Sequence, residues 1–533
     1  MAFNENSGVR NDIVIKGFPR GFNNVNDITT IDDEEMAVVE NLEIDSNGGL
    51  VSRPPIVKVA DSPATGEAVD MLGYYTNTSG VLFVVVSCAS GTYLYNTNTD
   101  LYTKITTVVG SGCAQWGGKL YVCSSTTSGG YWDGSAWTSL STGNYKMPKG
   151  EQMVLHKSRL FMISRETGTD RSRIFYSRLT SAGPVVTSIN EWNVWLADGL
   201  DFFDVSQGDG QQITKLISGH EEIFIFRSRS TYFFKYDTSI TDSAVLQMVD
   251  ATVGADNSHS VTQYEFSYIV MSNGRLYRFV SYQFYPLNDP MRVEIRPGGG
   301  SSTLHVKSAL STLGRRAILW YGGITYVLNL DDGTWTTWNS PTTELAYCII
   351  APRTQGDLSP DTAYGVSGAV GNGFYGIYRI SDTYNALDSE EIVCTMQTKA
   401  FDFGSPDSWK RMFYWDADVY TARDVVGTAT PLQLSNIVPS WDDIEIAGKT
   451  WDALEEATWD NILEKNPDIV STITYPANGP FRVNVAFQRD MRFRRAAYKI
   501  QLSTDGTNAT GPVRIVSLSV HAVLKKVIPT IIQ

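Results

Sequence analysis

The sequence predicts an all-β fold: a β-propeller of roughly six to eight blades, with an N-terminal arm or platform before it and a C-terminal β-sandwich after it. Three observations predict this architecture. Helical periodicity is almost absent from the 533 residues. Residues that favour short strands and tight turns are frequent, with 45 glycines, 13 tryptophans and 27 tyrosines. A short apolar-aromatic phrase also recurs at the spacing of propeller blades.

The recurring phrase is a bulky or β-branched residue followed by an aromatic residue. It stands at Leu82-Phe83, Leu120-Tyr121, Leu160-Phe161, Ile223-Phe224, Leu276-Tyr277, Thr325-Tyr326 and Phe374-Tyr375. Subtracting successive positions gives intervals of 38, 40, 63, 53, 49 and 49 residues. Intervals of about 40–50 residues, each holding a few short antiparallel strands, are typical of propeller blades. The 63-residue interval requires an inserted loop, and a series of ordinary β-sandwiches is the alternative fold.

Turn residues separate the predicted strands. Tyr95–Tyr102, Trp132–Trp137 and Asn329–Trp335 each place Asn, Asp, Gly or Thr between two strands, and an aromatic residue follows each turn. Asn, Asp and Gly tolerate the positive φ that tight hairpins need. We therefore expect the aromatic residue after each turn to pack across its strand pair.

The chain divides into three regions. Residues 1–58 are rich in turns and form the predicted arm; their one helical candidate is Asp32–Leu42, which is acidic at its start, as a helix N-terminus prefers. The run Arg53–Pro55 cannot lie inside a helix. Residues 59–390 form the predicted propeller, and residues 391–533 form the predicted sandwich.

Longer strands are predicted in the C-terminal region. They are Ile392–Phe403, Phe413–Tyr420, Phe481–Phe487, Met491–Leu502 and Val513–Leu524. Between the second and the third of them, residues 441–461 repeat Trp-Asp three times and are acidic. This segment is predicted to be an exposed insertion in the sandwich.

Composition and charge exclude several classes of protein. The chain has 57 acidic and 43 basic residues and a formal net charge of −14, whereas a protein that coats nucleic acid is basic. No signal sequence opens the chain, and the longest apolar run, Leu345–Ala351, has seven residues against the roughly twenty of a membrane helix. We expect a soluble protein made inside the cell, without a membrane-spanning segment.

Cysteine usage indicates a reducing environment. The five cysteines are Cys88, Cys113, Cys123, Cys348 and Cys394, and no pair has Cys-x-x-Cys spacing. An odd and sparse set is typical of reduced thiols buried as small apolar side chains. All five are therefore expected to be unpaired.

Candidate catalytic and metal-binding motifs have simpler explanations. Gly371–Gly376 matches the spacing of a dinucleotide-binding loop, but strand-like residues follow where a helix should begin. Gly112–Lys119 lacks the spacing of a phosphate-binding loop, and Leu120 stands where Ser or Thr would bind magnesium. The turn Asp45–Gly49 lacks the ligand set of a calcium loop. The five histidines are scattered, so we expect no catalytic, cofactor-binding or metal-binding residues and no enzyme.

One basic segment contrasts with the acidic chain. Within eighteen residues it holds Arg482, Arg489, Arg492, Arg494, Arg495 and Lys499. A solvated strand is one interpretation. The other is a cationic strip on an assembly surface, in which Arg489, Arg492, Arg494 and Arg495 contact a neighbouring subunit. On a continuous strand Arg492 and Arg494 would share one face.

Five stretches of the chain resemble a known family. The first is residues 34–55, with Asn41-Leu42, a glycine turn at Gly48-Gly49-Leu50, and Arg53-Pro54. The others are His156–Ser177, Gly208–Tyr236, Gly254–Phe279 and Phe401–Arg411. In their order and spacing these stretches resemble the tail hub or nozzle proteins of short-tailed bacteriophages, also called tail tubular protein B. The Trp-Asp-rich segment at residues 441–461 departs from that pattern.

The resemblance implies a structural virion protein. It implies a hexamer in the virion tail, assembled in the host cytoplasm, that docks to an adaptor ring below the portal and to other tail proteins. Double-stranded DNA would leave the particle through this ring without sequence-specific binding, and no cofactor comes with the family. An acidic channel wall suits this role because it repels the phosphate backbone, whereas a basic wall would retain it.

Two alternatives of other kinds remain open from the sequence. One is a propeller-type tail protein that binds or degrades glycans, which needs clustered arginines and carboxylates at one mouth of the propeller. The other is a baseplate or minor tail hub protein of a long-tailed phage.

Overall fold

The computed structural model consists of β-strands and connecting turns. It describes residues 10–15, 18–23, 28–45, 48–67, 69–141, 147–165, 172–177, 202–206, 208–237, 244–287, 309–321, 324–339, 345–350, 362–367, 376–381, 392–401, 410–421, 425–434, 471–475, 479–493, 495–504 and 513–524. No helix occurs in these residues, and so none that could cross a membrane.

The strands are short in the first three quarters of the chain and longer near its end. The first fourteen are β1 Arg10–Ile15, β2 Gly21–Phe22, β3 Glu35–Glu40, β4 Leu42–Ile44, β5 Leu50–Ser52, β6 Ile56–Asp61, β7 Asp70–Thr76, β8 Leu82–Cys88, β9 Gly91–Asn96, β10 Leu101–Thr106, β11 Gly112–Trp116, β12 Lys119–Cys123, β13 Gly130–Trp132 and β14 Trp137–Ser139. The next twelve are β15 Gly150–His156, β16 Arg159–Ser164, β17 Arg173–Tyr176, β18 Phe202–Asp204, β19 Ile213–Ser218, β20 Glu222–Arg227, β21 Thr231–Lys235, β22 Val245–Asp250, β23 Val261–Tyr264, β24 Ser267–Ser272, β25 Arg275–Val280 and β26 Gln283–Pro286. The last fourteen are β27 Ala309–Leu313, β28 Arg316–Tyr321, β29 Ile324–Asn329, β30 Trp335–Trp338, β31 Leu345–Ile350, β32 Thr362–Ser367, β33 Gly376–Ser381, β34 Val393–Thr398, β35 Lys410–Thr421, β36 Val425–Leu434, β37 Ser471–Tyr475, β38 Gly479–Phe493, β39 Arg495–Thr504 and β40 Val513–Leu524.

The first compact unit, Ile56–Gly333 with Asn339–Thr383, is a β-propeller. Its described strands form seven antiparallel sheets, here called blades one to seven: β7–β10, β11–β14, β15–β18, β19–β22, β23–β26, β27–β29, and β31–β33 with β6. The first strands of several successive blades contact each other, as β7 does β11, β11 does β15 and β15 does β19. The predicted propeller is confirmed.

Blade seven is completed by a strand from the other end of the unit. β6 pairs antiparallel with β33, with Ile56 opposite Ile380 and Asp61 opposite Gly376. Tyr364 and Ile377 of blade seven are buried in one cluster with Val84 and other side chains of blade one. Hydrogen bonds and apolar packing therefore both close the ring of blades.

The core lies between the faces of neighbouring blades. Tyr121 of blade two packs in one cluster with Leu160 of blade three, and Phe161 of blade three packs with Phe234 of blade four. Side chains alternate between the two faces of a strand, so each blade can fill both interfaces. Burying one Leu or Phe contributes about 2 kcal/mol, and the interfaces together supply the main stabilisation of the ring.

The recurring phrase marks strands, but not the same strand in every blade. Leu120-Tyr121 and Leu160-Phe161 lie on the second strands of their blades, whereas Leu276-Tyr277 and Thr325-Tyr326 lie on the third strands. This change of strand explains why the interval before Leu276 is 53 residues. The 63-residue interval contains the long connection between Tyr176, where β17 ends, and Phe202, where β18 begins. Phe374-Tyr375 lies outside the described residues.

Two of the three predicted hairpins, Tyr95–Tyr102 and Trp132–Trp137, have the predicted cross-strand aromatic pairs. Tyr95 lies opposite Tyr102, with their ring centroids 5.3 Å apart, and Trp132 lies opposite Trp137. Asp100 takes the left-handed conformation at φ 57° before β10. In the other turn the Asp133 carboxylate accepts the backbone N–H of Ala136 at 2.7 Å. Asp100 thus supplies the backbone conformation that its turn needs, and Asp133 supplies a hydrogen-bond acceptor to its own turn.

The second compact unit, Met1–Pro55 with Thr334–Trp338 and Tyr384–Gln533, contains the two sheets of the predicted sandwich. In one sheet the order is β38-β35-β40-β5-β4, with β1 also on β40; in the other it is β30-β3-β34-β39-β36-β37, with β2 on β3. Strands from residues 10–52 are therefore hydrogen-bonded to strands from residues 393–524. The sequence predicts a separate arm over residues 1–58, whereas the strands of residues 10–52 belong to the same sheets as the C-terminal strands.

The predicted helix at Asp32–Leu42 is wrong. Residues 35–40 form β3, which pairs with β34, with Met36 opposite Thr398 and Glu40 opposite Thr395. An isolated helix of this length is marginal in water. Met36 and Val39 are fully buried in the sheet, so tertiary packing outweighs the local acidic signal.

The C-terminal strands agree with prediction in place but not in every boundary. Val513–Leu524 is observed as predicted. The two predicted strands Phe481–Phe487 and Met491–Leu502 are divided differently: β38 runs through to Phe493, and β39 begins at Arg495 in the other sheet. The predicted insertion at residues 441–461 lies outside the described residues.

The cysteines whose side chains the structure describes are reduced. Cys88, Cys113, Cys123 and Cys394 form no disulfide, and the Cys348 side chain is outside the described set. Cys113 lies opposite Val122 and Cys123 opposite Gly112 on adjacent strands, so the two thiols are on opposite faces of blade two. Burial raises the pKa of Cys113 to about 12.

We predict that alkylation without reductant modifies all five cysteines after denaturation. In the native protein, burial keeps thiols protonated and inaccessible, so modification of Cys123 and Cys394 should be slow. Intact-mass spectrometry before and after denaturation in guanidinium counts the modified cysteines in the native and in the denatured chain. Fewer than five adducts on the denatured chain would reveal a disulfide and contradict the prediction.

Candidate functional site

The first stretch of the family resemblance forms a buried hydrogen-bonded anchor centred on Asn41 and Arg53. Asn41 follows β3 in the left-handed conformation, at φ 57°, and only 3% of it is exposed. Its backbone N–H donates to the Thr337 carbonyl at 2.7 Å, and its side-chain Nδ2 donates to the Val393 carbonyl at 2.8 Å. Asparagine is one of the few residues besides glycine that adopt this conformation routinely.

Arg53 completes the anchor from the far end of the β4–β5 hairpin. Its Nε donates to Asn41 Oδ1 at 2.8 Å, its backbone N–H donates to the Asn41 carbonyl at 3.0 Å, and its Nη1 donates to the Pro54 carbonyl at 2.9 Å. The residue is fully buried. Hydrogen bonds from a charged donor are about twice as strong as neutral ones, so this guanidinium holds the hairpin closed.

The anchor joins three distant parts of the second unit. Asn41 connects the N-terminal hairpin to β30 through Thr337 and to β34 through Val393, and the Cys394 thiol also donates to the Asn41 carbonyl at 3.4 Å. The sequence points to Arg53 as part of the family resemblance and of a run that cannot lie inside a helix, but not to this hydrogen-bonding role. A charged residue before two prolines, at the end of an apolar strand, is the signal that could have identified it.

Polar side chains tie neighbouring propeller blades together near their first strands. Gln115 on β11 accepts the Thr76 N–H at 3.0 Å and donates to the Thr76 carbonyl at 2.7 Å, bridging to blade one. Gln152 on β15 bonds the N–H of Leu216 in blade four in the same way, at 2.9 Å. Such paired bonds hold the backbones of these adjacent blades in register.

Three titratable groups of the propeller have pKa values below their ordinary ones. His156, at the end of β15, is buried and bonds Ser218 Oγ through Nδ1 at 2.9 Å; burial lowers its pKa, although the Glu221 carbonyl acts in the opposite direction. Burial lowers the pKa of Lys215 to about 8. Burial and the positive charge of Lys215 lower the pKa of His259 to about 3. Both histidines are thus neutral at neutral pH.

The candidate catalytic and metal-binding motifs form a hairpin and a turn where the structure describes them. Gly112–Lys119 is the β11–β12 hairpin, with Gly117 and Gly118 at positive φ. Asp45 Oδ1 accepts the N–H of Gly49 at 2.9 Å and closes a plain turn. Of Gly371–Gly376 only Gly376 is described. No group of three or more His, Cys, Asp or Glu side chains could hold a metal ion in the described part of the chain.

The basic segment lies on two different sheets of the second unit. Arg489 and Arg492 are on β38, and Arg495 opens β39, while Arg494 lies between them outside the described residues. β38 pairs with β35 in one sheet, and β39 pairs with β34 and β36 in the other. The four predicted interface residues therefore span the point where the chain passes from one sheet to the other.

Comparison with known proteins identifies no family. No family model matches the chain, and no curated protein matches it. Among solved structures, YCF48 from Cyanidioschyzon merolae has 9% identity and a TM-score of 0.38, over 61% of this chain and 98% of that one. Virginiamycin B lyase from Staphylococcus aureus has 8% identity and a TM-score of 0.40, over 61% and 98% of the two chains. The computationally designed Ika8 protein has 8% identity and a TM-score of 0.35, over 68% and 99%. Likenesses this distant carry no information on activity or partners.

The anchor gives a stability prediction. Arg53→Met should lower the free energy of unfolding by about 2–4 kcal/mol, because it leaves Asn41 Oδ1 and the Pro54 carbonyl without the guanidinium that donates to them. Arg229→Met is the matched control, since Arg229 is exposed, and it should change stability by less than about 0.5 kcal/mol. Guanidinium denaturation followed by tryptophan fluorescence compares the two. An equal decrease in the free energy of unfolding in both variants would contradict the stabilising role of the buried Arg53 side chain.

The interior histidines give a pH prediction. Because the folded pKa values of His156 and His259 are lower than the ordinary value of 6.5, the unfolded chain binds protons that the folded chain does not. Stability is therefore complete above pH 6.5 and falls as the pH drops below it, by up to about 1.4 kcal/mol per pH unit for each histidine. Thermal unfolding between pH 7.5 and 5 measures this slope. The slope should be smaller in His259→Gln, and an unchanged slope would contradict the assignment.

Proposed function

We propose that this chain is a structural subunit of the tail nozzle or hub ring of a short-tailed bacteriophage, through which double-stranded DNA leaves the particle. The observation that carries the proposal is the ordered resemblance of five stretches, from residues 34–55 to residues 401–411. The first of them builds the anchor of Asn41 and Arg53, which explains why a buried asparagine and arginine are needed there.

Charge supports the same proposal. Each chain has a formal net charge of −14, so a ring of such chains can present an acidic wall. Double-stranded DNA carries one negative charge per about 1.7 Å of its axis. Electrostatic repulsion at the wall would keep the duplex from adhering during passage.

The bonds between propeller blades also support the proposed role as a DNA conduit. A conduit has to keep its bore while DNA moves through it under force. Paired hydrogen bonds from Gln115 and Gln152 between blades, together with the strand closure by β6, oppose deformation of each propeller.

The proposal is tested by the assembly state of the purified protein. We expect rings of about six chains of 59.0 kDa each, in light scattering after size exclusion and in negative-stain images, with a central opening wide enough for a DNA duplex of about 20 Å. We also expect no retention of a labelled DNA duplex at physiological salt. A monomer or trimer that cleaves host saccharides would overturn the proposal in favour of the glycan-degrading alternative.

A further inference from the structure

One end of the sheet that holds β1, β35, β38 and β40 brings together three arginine positions from distant parts of the sequence. On β1, Arg10 pairs with Val523 of β40. Val523 pairs on its other side with Arg411 of β35, and Arg411 pairs with Arg492 of β38. These four positions form one continuous row across four hydrogen-bonded strands, here called the arginine row.

The register makes the arginine row unusual within its own sheet. Neighbouring strands lie about 4.8 Å apart, and positions directly opposite each other share a face. Like charges directly opposite are destabilising. Farther along the same strand pair, Arg482 lies opposite Asp418, an arrangement of opposite charges. Arg492, in contrast, lies opposite Arg411.

Acidic positions near the row are few within the described strands. Asp12 is two positions from Arg10 on β1, and Asp490 is two positions from Arg492 on β38. Lys410 precedes Arg411 and lies opposite Phe493. Basic positions therefore outnumber acidic ones at this end of the sheet, and an external anionic group would lower the repulsion among them.

We propose that the arginine row is an assembly contact that binds an acidic surface of a second copy of this chain. The inference rests on the proposed function, because it assigns a surface through which the ring assembles. Charge complementarity selects the occupant. The chain has 57 acidic and 43 basic residues, so acidic surface is abundant on every neighbouring copy, and complementary charges set the specificity and register of an interface.

Nucleic acid is the other polyanion that an arginine row could bind. A net charge of −14 per chain repels a duplex at distances within the screening length of about 8 Å. Three arginine positions give too little attraction to offset that repulsion along a whole duplex. A neighbouring copy can place single carboxylates directly opposite the arginine row, where short-range attraction exceeds the screened repulsion between the two chains.

The test compares two charge reversals in the same sheet. Arg411→Glu changes the centre of the row, whereas Arg514→Glu, the matched control, changes β40 at its opposite end, where Arg514 lies opposite Tyr420. Sedimentation velocity over a range of concentrations measures ring assembly, and circular dichroism verifies folding. We expect Arg411→Glu to weaken assembly at least tenfold and Arg514→Glu to change it less than twofold. Raising NaCl from 50 to 500 mM should weaken wild-type assembly as well.

Arg10→Glu is the second variant, because a substitution near the start of the chain keeps the test valid if Arg411→Glu fails to fold. It should also weaken assembly at least tenfold. Normal assembly of both folded variants would overturn the inference while leaving the proposed ring in place. Normal assembly with reduced binding of a fluorescent duplex would instead assign the row to DNA. A wild-type chain that remains monomeric would remove the proposed function itself, and this contact with it.

Discussion

Both compact units depend on the same constraint: strands from the first 61 residues have to pair with strands that are synthesised hundreds of residues later. In the propeller, β6 completes blade seven by pairing with β33. In the sandwich, β1 and β5 pair with β40, and β3 pairs with β34. Without these pairings each unit would keep an open sheet edge, with backbone donors and acceptors left without partners. The fold therefore closes only when most of the chain is present, and such non-local pairing makes folding slow.

The buried anchor shows how this closure is held. Asn41 and Arg53 lie on either side of the β4–β5 hairpin, and their hydrogen bonds reach Thr337 and Val393. Burying a guanidinium is costly unless its donors are used. Here the donors of Arg53 bond an amide oxygen and a backbone carbonyl, and these hydrogen bonds hold the two ends of the β4–β5 hairpin together. Between blades one and two of the propeller, the neutral amide of Gln115 serves the same purpose.

Charge has two roles in the proposed ring. The acidic excess of the whole chain suits a wall along which DNA moves, and the local basic row suits a contact between copies. These roles are compatible because electrostatic attraction between surfaces acts at short range at physiological salt, within about 8 Å. A chain can therefore repel DNA at one surface and attract its neighbour at another. The two roles can also be separated by mutation. Removing the arginine row would affect assembly, whereas removing the acidic excess would affect DNA passage.

Local patterns determined most of the secondary structure. The apolar-aromatic phrase, the hairpin turns with Tyr95 opposite Tyr102, and the long strand Val513–Leu524 can all be predicted, because alternation and turn chemistry act over a few residues. Only the tertiary structure decided that residues 35–40 form a strand, since the burial of Met36 and Val39 against β34 outweighs a weak helical preference. The same holds for the anchor and for the arginine row. Residues 10, 411 and 492 become neighbours through strand register alone, and register across four strands depends on pairings that no local segment of the sequence specifies.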